Sequence, residues 1–197
     1  MVFGITGNIG AGKTTFSKFL KIAGFKVINA DTVGKELLKK GKAGYEPVLE
    51  AFGKEILDKS GEIDTRKLAS IVFSDSTKLK TLTSITHPLI GEFIFSLKNS
   101  KKTVFVEAAL LIEAGWHKNV DAVITIFAYR GQRILRATKR FGIKEVLKRE
   151  KFQLPYKEKF KHTDFLICNT ETMLNLKKQT EYFIDFISSE RFKNSTR

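Results

Sequence analysis

Gly7-Asn8-Ile9-Gly10-Ala11-Gly12-Lys13-Thr14 is the stretch that decides the fold. It satisfies the G-x-x-x-x-G-K-[ST] pattern in which glycines bring successive backbone N–H groups close to phosphate oxygens. Its surroundings fit that use. The apolar run Val2–Thr6 reads as a buried strand, and residues 14–22 carry apolar side chains at helical spacing, at Phe16, Phe19 and Leu20. Strand, glycine turn and helix in that order put the positive end of a helix dipole at the anion. Lys13 then reaches the β- and γ-phosphates of a nucleotide, and the Thr14 hydroxyl is placed to ligate Mg²⁺. The expected contacts to ATP run from Asn8, Ile9, Gly10, Ala11, Gly12, Lys13 and Thr14 to Thr15.

Outward from the loop, apolar runs predict further strands at 26–29, 103–106, 122–127 and 165–168. Asp31 follows the second strand and reads equally as a helix N-cap or as a carboxylate that takes the proton of an acceptor hydroxyl. Residues 32–99 read as mainly helical, with breaks at 41–44, 53, 59–61 and His87-Pro88. The stretch 108–117 reads as a short helix or loop. A helix over 130–141 ends at Gly142, and another runs over 172–187. Strands alternating with helices imply an α/β fold, a mainly parallel sheet covered on both faces in a three-layer sandwich. The polar tail 188–197 reads as frayed.

The 197 residues carry 42% hydrophobic and 28% charged side chains, an ordinary globular mixture, and no apolar run approaches a membrane span. Met1–Thr6 leads straight into the glycine turn with no secretory pattern, so the expected location is the cytoplasm. Cys168, the only cysteine, lies in an apolar run and reads as a buried small hydrophobe. Three histidines without metal spacing offer no zinc site.

The formal net charge is +14, and residues 130–161 hold 12 Lys or Arg against 3 Asp or Glu. That concentration reads as a polyphosphate clamp or as a solvated basic surface, with no nucleic-acid signature beside it. Arg133, Arg136 and Arg140 recur at helical spacing, which predicts one face for all three, with Ile134, Leu135 and Ala137 turned elsewhere. Guanidinium forks on such a face suit closure over ATP.

Taken together, the phosphate loop, Asp31 and the basic helix resemble the dephospho-CoA kinase family along nearly the whole chain. The family's Asp-Ala-Asp segment is matched by Asn29-Ala30-Asp31, with the second acid kept and the first replaced. Phe52-Gly53, Gly61-Glu62-Ile63-Asp64 with Arg66, and His87-Pro88-Leu89-Ile90 are similar to its acceptor-binding domain. Ala109-Leu110-Leu111-Ile112-Glu113 keeps the leucines and the acid of a Pro-Leu-Leu segment but loses the proline. Asp164-Phe165-Leu166-Ile167-Cys168-Asn169 resembles the segment whose terminal asparagine approaches adenine.

The resemblance implies ATP-dependent phosphorylation of the ribose 3′-hydroxyl of dephospho-CoA, with Mg²⁺ accompanying ATP. It implies Asp31, Lys13 and Arg136 as catalytic residues and Arg136, Arg140 and Asn169 as further ATP contacts. Asp31, Arg66, His87 and Leu110 would hold the acceptor, and Thr14 the metal. The implied organisation is a nucleotide-binding core at 1–31, 101–129 and 162–190, an acceptor-binding insertion at 32–100 and a lid at 130–161. Neither membrane nor specific nucleic acid is expected as a partner, and the protein is expected as a monomer or weak homo-oligomer. Another small-molecule kinase, such as a nucleoside monophosphate kinase, and a nucleic-acid-binding ATPase are the alternative readings.

Overall fold

The computed structural model describes residues 1–189; the tail beyond residue 189 lies outside the described residues. In chain order the elements are β1 (Val2–Thr6), α1 (Lys13–Ile22), β2 (Lys26–Asn29), α2 (Ala30–Leu37), α3 (Tyr45–Phe52), α4 (Thr65–Ser74) and α5 (Ser76–Ser96). They continue with β3 (Val104–Glu107), β4 (Ala122–Phe127), α6 (Arg130–Phe141), α7 (Ile143–Glu150), α8 (Tyr156–Phe160), β5 (Phe165–Cys168) and α9 (Met173–Ser188). Short 3₁₀ turns add Lys54–Ile56, Leu97–Asn99 and Trp116–Asn119. The chain forms two compact units, one of Met1–Val27 with Lys98–Arg197 and the other of Ile28–Leu97.

The first unit is built on a five-stranded sheet of order β2-β3-β1-β4-β5. β1 pairs in parallel with β3, from Val2 opposite Val104 to Ile5 opposite Glu107, and with β4 on its other side. β4 in turn pairs in parallel with β5. Every residue of β1 is buried, as a central strand covered on both faces requires. Phe3 and Ile5 pack with Phe16 and Leu20 of α1 and with Leu176, Phe183 and Ile187 of α9. The Phe3 and Phe105 rings stack at 5.1 Å, and Phe183 meets Phe3 edge-on at 5.8 Å. Burying each such side chain contributes about 1.5–3 kcal/mol. On the opposite face, Leu111 packs so closely against Gly4 that a Cβ there would lie 2.5 Å from its methyl carbon.

One sequence expectation fails in this unit, and one strand is shifted by a residue. Cys168 is half-buried, because β5 is an edge strand on which Ile167 turns inward while Leu166 is exposed. The third strand begins and ends one residue later than its apolar run, and it closes on the buried carboxylate of Glu107. The 108–117 stretch is turns leading into the 3₁₀ turn at Trp116.

The second unit has its own core of Leu38, Tyr45, Val48, Phe52, Ile56, Ile63, Leu68 and Val72. Three of its helices, α2, α4 and α5, start on side-chain caps, whereas α3 starts at Gly44 without one. Asn29 accepts from the N–H groups of Asp31 and Thr32, Asp64 from Arg66 and Lys67, and Asp75 from Thr77 and Lys78. The capping role offered to Asp31 therefore belongs to Asn29, and Asp31 sits one residue inside α2. The break expected at His87-Pro88 is also absent, since α5 runs unbroken through Pro88. The Asp75 cap starts this helix, and Ile90 and Ile94 bury its far half, while the exposed Pro88 ring costs one backbone hydrogen bond. Packing against α2, α3 and α4 overrides that local cost.

Candidate active site

β1 delivers the chain to Gly7, and the loop returns as α1. Within the loop the Ala11 N–H donates to the Asn8 carbonyl at 3.0 Å. Gly12 sits in the left-handed region at φ 103° and stands as the α1 N-cap with no side-chain bond, so the first amides of the helix are not claimed by a cap. A Cβ on Gly12 would come within 2.2 Å of the Asn169 amide nitrogen, and one on Gly10 within 2.1 Å of the Arg133 carbonyl oxygen. Both glycines are thus demanded by close neighbours as well as by positive φ. The Lys13 ammonium lies over its own loop, donating to the Gly7 carbonyl at 2.7 Å and to that of Asn8 at 3.4 Å. Thr15 continues the first turn of α1, half-buried.

The Thr14 hydroxyl donates to Glu107 Oε1 at 2.9 Å, because parallel pairing of β1 with β3 brings the end of β3 beside the start of α1. No group of three or more His, Cys, Asp or Glu side chains among the described residues forms a metal cage. A hydroxyl and a carboxylate at the phosphate end do fit Mg²⁺, which takes one or two protein oxygens and completes its shell with phosphate and water.

A second layer backs the loop. Asn169, just past β5, donates from its side-chain amide to the Ala11 carbonyl at 2.8 Å and from its backbone to Phe127 at 2.7 Å. Its own carbonyl accepts from Arg136 Nη1 at 2.9 Å, so Arg136, Asn169 and Ala11 form one chain. Arg133 is buried: Nη1 donates to the Ile9 carbonyl at 3.1 Å and Nη2 to Glu150 Oε1 at 3.0 Å. Burial alone would raise the Glu150 pKa, but Arg130 and Arg133 outweigh it and hold the carboxyl below its usual value. The Ile9 N–H donates to Gln153 Oε1 at 2.7 Å, and the Asn8 N–H to the Tyr156 hydroxyl at 3.4 Å. Burial lowers the pKa of the Lys159 amine, and Glu113, at 2.7 Å, opposes that shift. Glu113 also accepts from the Leu154 N–H.

The expectation that Ala137 turns away from the arginines of α6 is corrected, and the three arginines meet different partners. Arg133 turns inward with Ala137, which packs beside Ile9 and Val146, whereas Arg140 is exposed with its guanidinium 4.9 Å from the Phe141 ring centroid. Only Arg136 of the three reaches Asn169. Arg133 and Arg140 are two turns apart along the same side of the helix, and burial sorted residues whose spacing alone looked equivalent. Leu110 is half-buried in the turn after β3.

In the second unit, Asp31 is exposed in the first turn of α2, with its backbone N–H taken by Asn29 Oδ1 at 2.9 Å. Arg66 is exposed in the first turn of α4. His87 is half-buried in α5, and burial pushes its imidazole pKa down. Gln153 and Tyr156 were not among the expected site residues. The only signal for them is the helix-breaking Pro155 between them, which marks a turn without saying where it leads.

The dephospho-CoA kinase family model matches residues 1–175, across both units. A dephospho-CoA kinase of Aquifex aeolicus is 41% identical over 182 residues, spanning 90% of this chain and 93% of the relative. The chain belongs to the dephospho-CoA kinase family. A solved dephospho-CoA kinase from Campylobacter jejuni is 30% identical with a TM-score of 0.72, covering 95% of this chain and 96% of its own. The shikimate kinase of Acinetobacter baumannii, at 14% identity and TM-score 0.56 over 94% of this chain and 92% of its own, shares the fold alone. No described helix is long and apolar enough to cross a membrane.

Proposed function

We propose that this enzyme transfers the γ-phosphoryl group of ATP to the ribose 3′-hydroxyl of dephospho-CoA, giving CoA and ADP. The observation that carries the reading is the family match over residues 1–175, which includes the whole unit Ile28–Leu97 as well as the phosphate loop. A phosphate loop alone leaves the acceptor open.

The amides of Gly12–Thr14 and the dipole of α1 receive the phosphates. Lys13 exchanges its loop carbonyls for β- and γ-phosphate oxygens. Thr14 and Glu107 would hold Mg²⁺, which neutralises charge on the triphosphate when bound. Asp31 takes the proton as the acceptor oxygen bonds to the γ-phosphorus and the bond to the ADP oxygen breaks. Its carboxylate suits that role because Asn29 performs the capping that would otherwise occupy it. Arg136 supplies positive charge to the phosphoryl group in transit, fixed in place through Asn169. Arg140 and Asn169 complete the nucleotide contacts, residues 130–161 close over them, and Arg66, His87 and Leu110 hold the acceptor. The same reading has the enzyme working in the cytoplasm as a monomer or weak homo-oligomer, with no nucleic acid or membrane required.

Coupled ADP release measured with dephospho-CoA, AMP, CMP and shikimate tests the acceptor. Stimulation by dephospho-CoA alone is expected, and stimulation by AMP or CMP instead would move the reading to a nucleoside monophosphate kinase. In the same assay Asp31→Asn is expected to lower turnover about 10²–10⁴-fold with ADP affinity kept. Near-normal turnover would remove Asp31 from the chemistry.

A further inference from the structure

We propose that Gln153 is a positioning residue: together with Arg133 it sets the shape of the front half of the phosphate loop, and nucleotide affinity depends on it. The proposal rests on the reading of Gly7–Thr14 as the ATP site.

Residues 8 to 10 are variable positions of the phosphate-loop pattern, yet here each is gripped from behind. Both polar groups of the Ile9 backbone are taken by distant side chains. Its N–H donates to Gln153 Oε1 at 2.7 Å, and its carbonyl accepts from Arg133 Nη1 at 3.1 Å. The Ile9 side chain is buried with Ala137 and Val146. Asn8 donates from its side-chain amide to the Leu154 carbonyl at 3.3 Å and from its backbone toward the Tyr156 hydroxyl at 3.4 Å. Gly10 is pressed against the Arg133 carbonyl, where no Cβ would fit. The glycine at position 10 is thus explained by a protein neighbour.

Fixing the N–H and the carbonyl of one residue fixes the two peptide planes around it, since each plane is rigid. The planes flanking Ile9 aim the amides that follow, so Gln153 and Arg133 together decide where Gly10–Lys13 point. An N–H turned toward Gln153 is also withdrawn from the phosphates. The amides that receive them are thereby oriented before ATP arrives, and binding need not spend free energy ordering them.

The two clamping side chains are themselves held. The Arg133 side chain is 4% exposed, is paired with Glu150 at 3.0 Å and lies 5.5 Å from the Tyr156 ring centroid. Gln153 is tied to the same acid's backbone, its N–H donating to the Glu150 carbonyl at 3.0 Å. Arg133, Glu150 and Gln153 therefore form one cluster at the end of α7 whose two free ends close on Ile9.

The test compares Gln153→Ala with Gln153→Met, which keeps the length of the side chain but not its oxygen. Three quantities are read on the whole protein: ADP affinity by calorimetry, hydrogen exchange of the Ile9 amide without nucleotide, and KM for ATP against kcat. Both variants are expected to lose about three- to tenfold in ADP affinity, the worth of one amide hydrogen bond, and to raise KM for ATP by the same factor. The expected kcat at saturating ATP stays near the wild-type value, and the Ile9 amide exchanges faster. Unchanged ADP affinity with faster exchange would overturn the proposal, reducing the contact to a structural one. A loss in the alanine variant that methionine restores would also overturn it, by assigning the effect to bulk. Because ADP binding needs no acceptor, these outcomes stand apart from a wrong acceptor; a wild-type protein that bound no ADP would instead sink the reading of the loop.

Discussion

The phosphate loop and the basic segment 130–161 are both built for anions, one from backbone and the other from side chains. In the loop, eight residues carry the arrangement almost entirely in main-chain geometry, with glycines in the left-handed region and an uncapped helix start. In the basic segment at least five of the twelve lysines and arginines are tied to carboxylates, although most of its formal excess of nine positive charges remains. Arg133 and Arg130 share Glu150, Lys159 is buried on Glu113, Arg149 pairs with Glu145, and Lys161 pairs with Glu158. A backbone site therefore survives as written in the sequence, whereas a side-chain site depends on which charges find partners first. Paired charges cancel much of their own field, so the count of lysines and arginines overstates the potential offered to a polyphosphate.

The strongest way to break this contrast is at Lys13, the one loop residue that acts through its side-chain charge. Lys13→Ala is expected to lower kcat about 10²–10³-fold, with a much smaller loss of ADP affinity, as steady-state rates and calorimetry would show. If turnover survived, the backbone alone would be enough.

Gly10→Ala strikes the main-chain geometry instead. A side chain there meets the Arg133 carbonyl and must hold φ near +77°, a backbone penalty of about 1–2 kcal/mol before the steric overlap is relieved. Thermal unfolding should shift down by about 3–8 °C, and ADP binding should weaken about tenfold. A variant with wild-type Tm would show that α6 yields easily at this contact.

The smallest effects sharpen the side-chain half of the comparison. Arg136→Ala should reduce turnover about tenfold, since it removes the charge tied to Asn169, while Arg140→Ala, taken from an exposed stack on Phe141, should change it by less than about threefold. Equal losses in the two variants would favour net charge over individual partnering as the organising factor.

Much of the fold was legible because it follows from local pattern. The buried run Val2–Thr6 can be little other than a central strand, and β2, β4, β5 and α6 match their apolar or helical spacing residue for residue. The phosphate loop was legible for the same reason, since its geometry is set by glycine positions a few residues apart. What escaped depended on distant partners. Nothing near Arg133 announces Ile9 and Glu150, nothing near Gln153 announces the loop almost a hundred and fifty residues before it, and Cys168 is half-exposed only because β5 ends the sheet. Asn29 and Asp31 are instructive at shorter range. Either could cap α2 by residue type, and only the backbone at Asn29, in the extended region, decides between them.

Pro88 has a mechanical consequence. α5 spans 21 residues, about 31 Å at 1.5 Å per residue, and its proline stands just past the middle. With no N–H at 88, the Ser84 carbonyl loses its usual backbone donor, so the ladder that stiffens a helix has one missing rung there. A rod with one weakened section bends at that section first. Load applied along this helix, by thermal motion or by ligand, concentrates beside His87 and leaves the capped end at Asp75 and the buried end at Ile94 comparatively stiff.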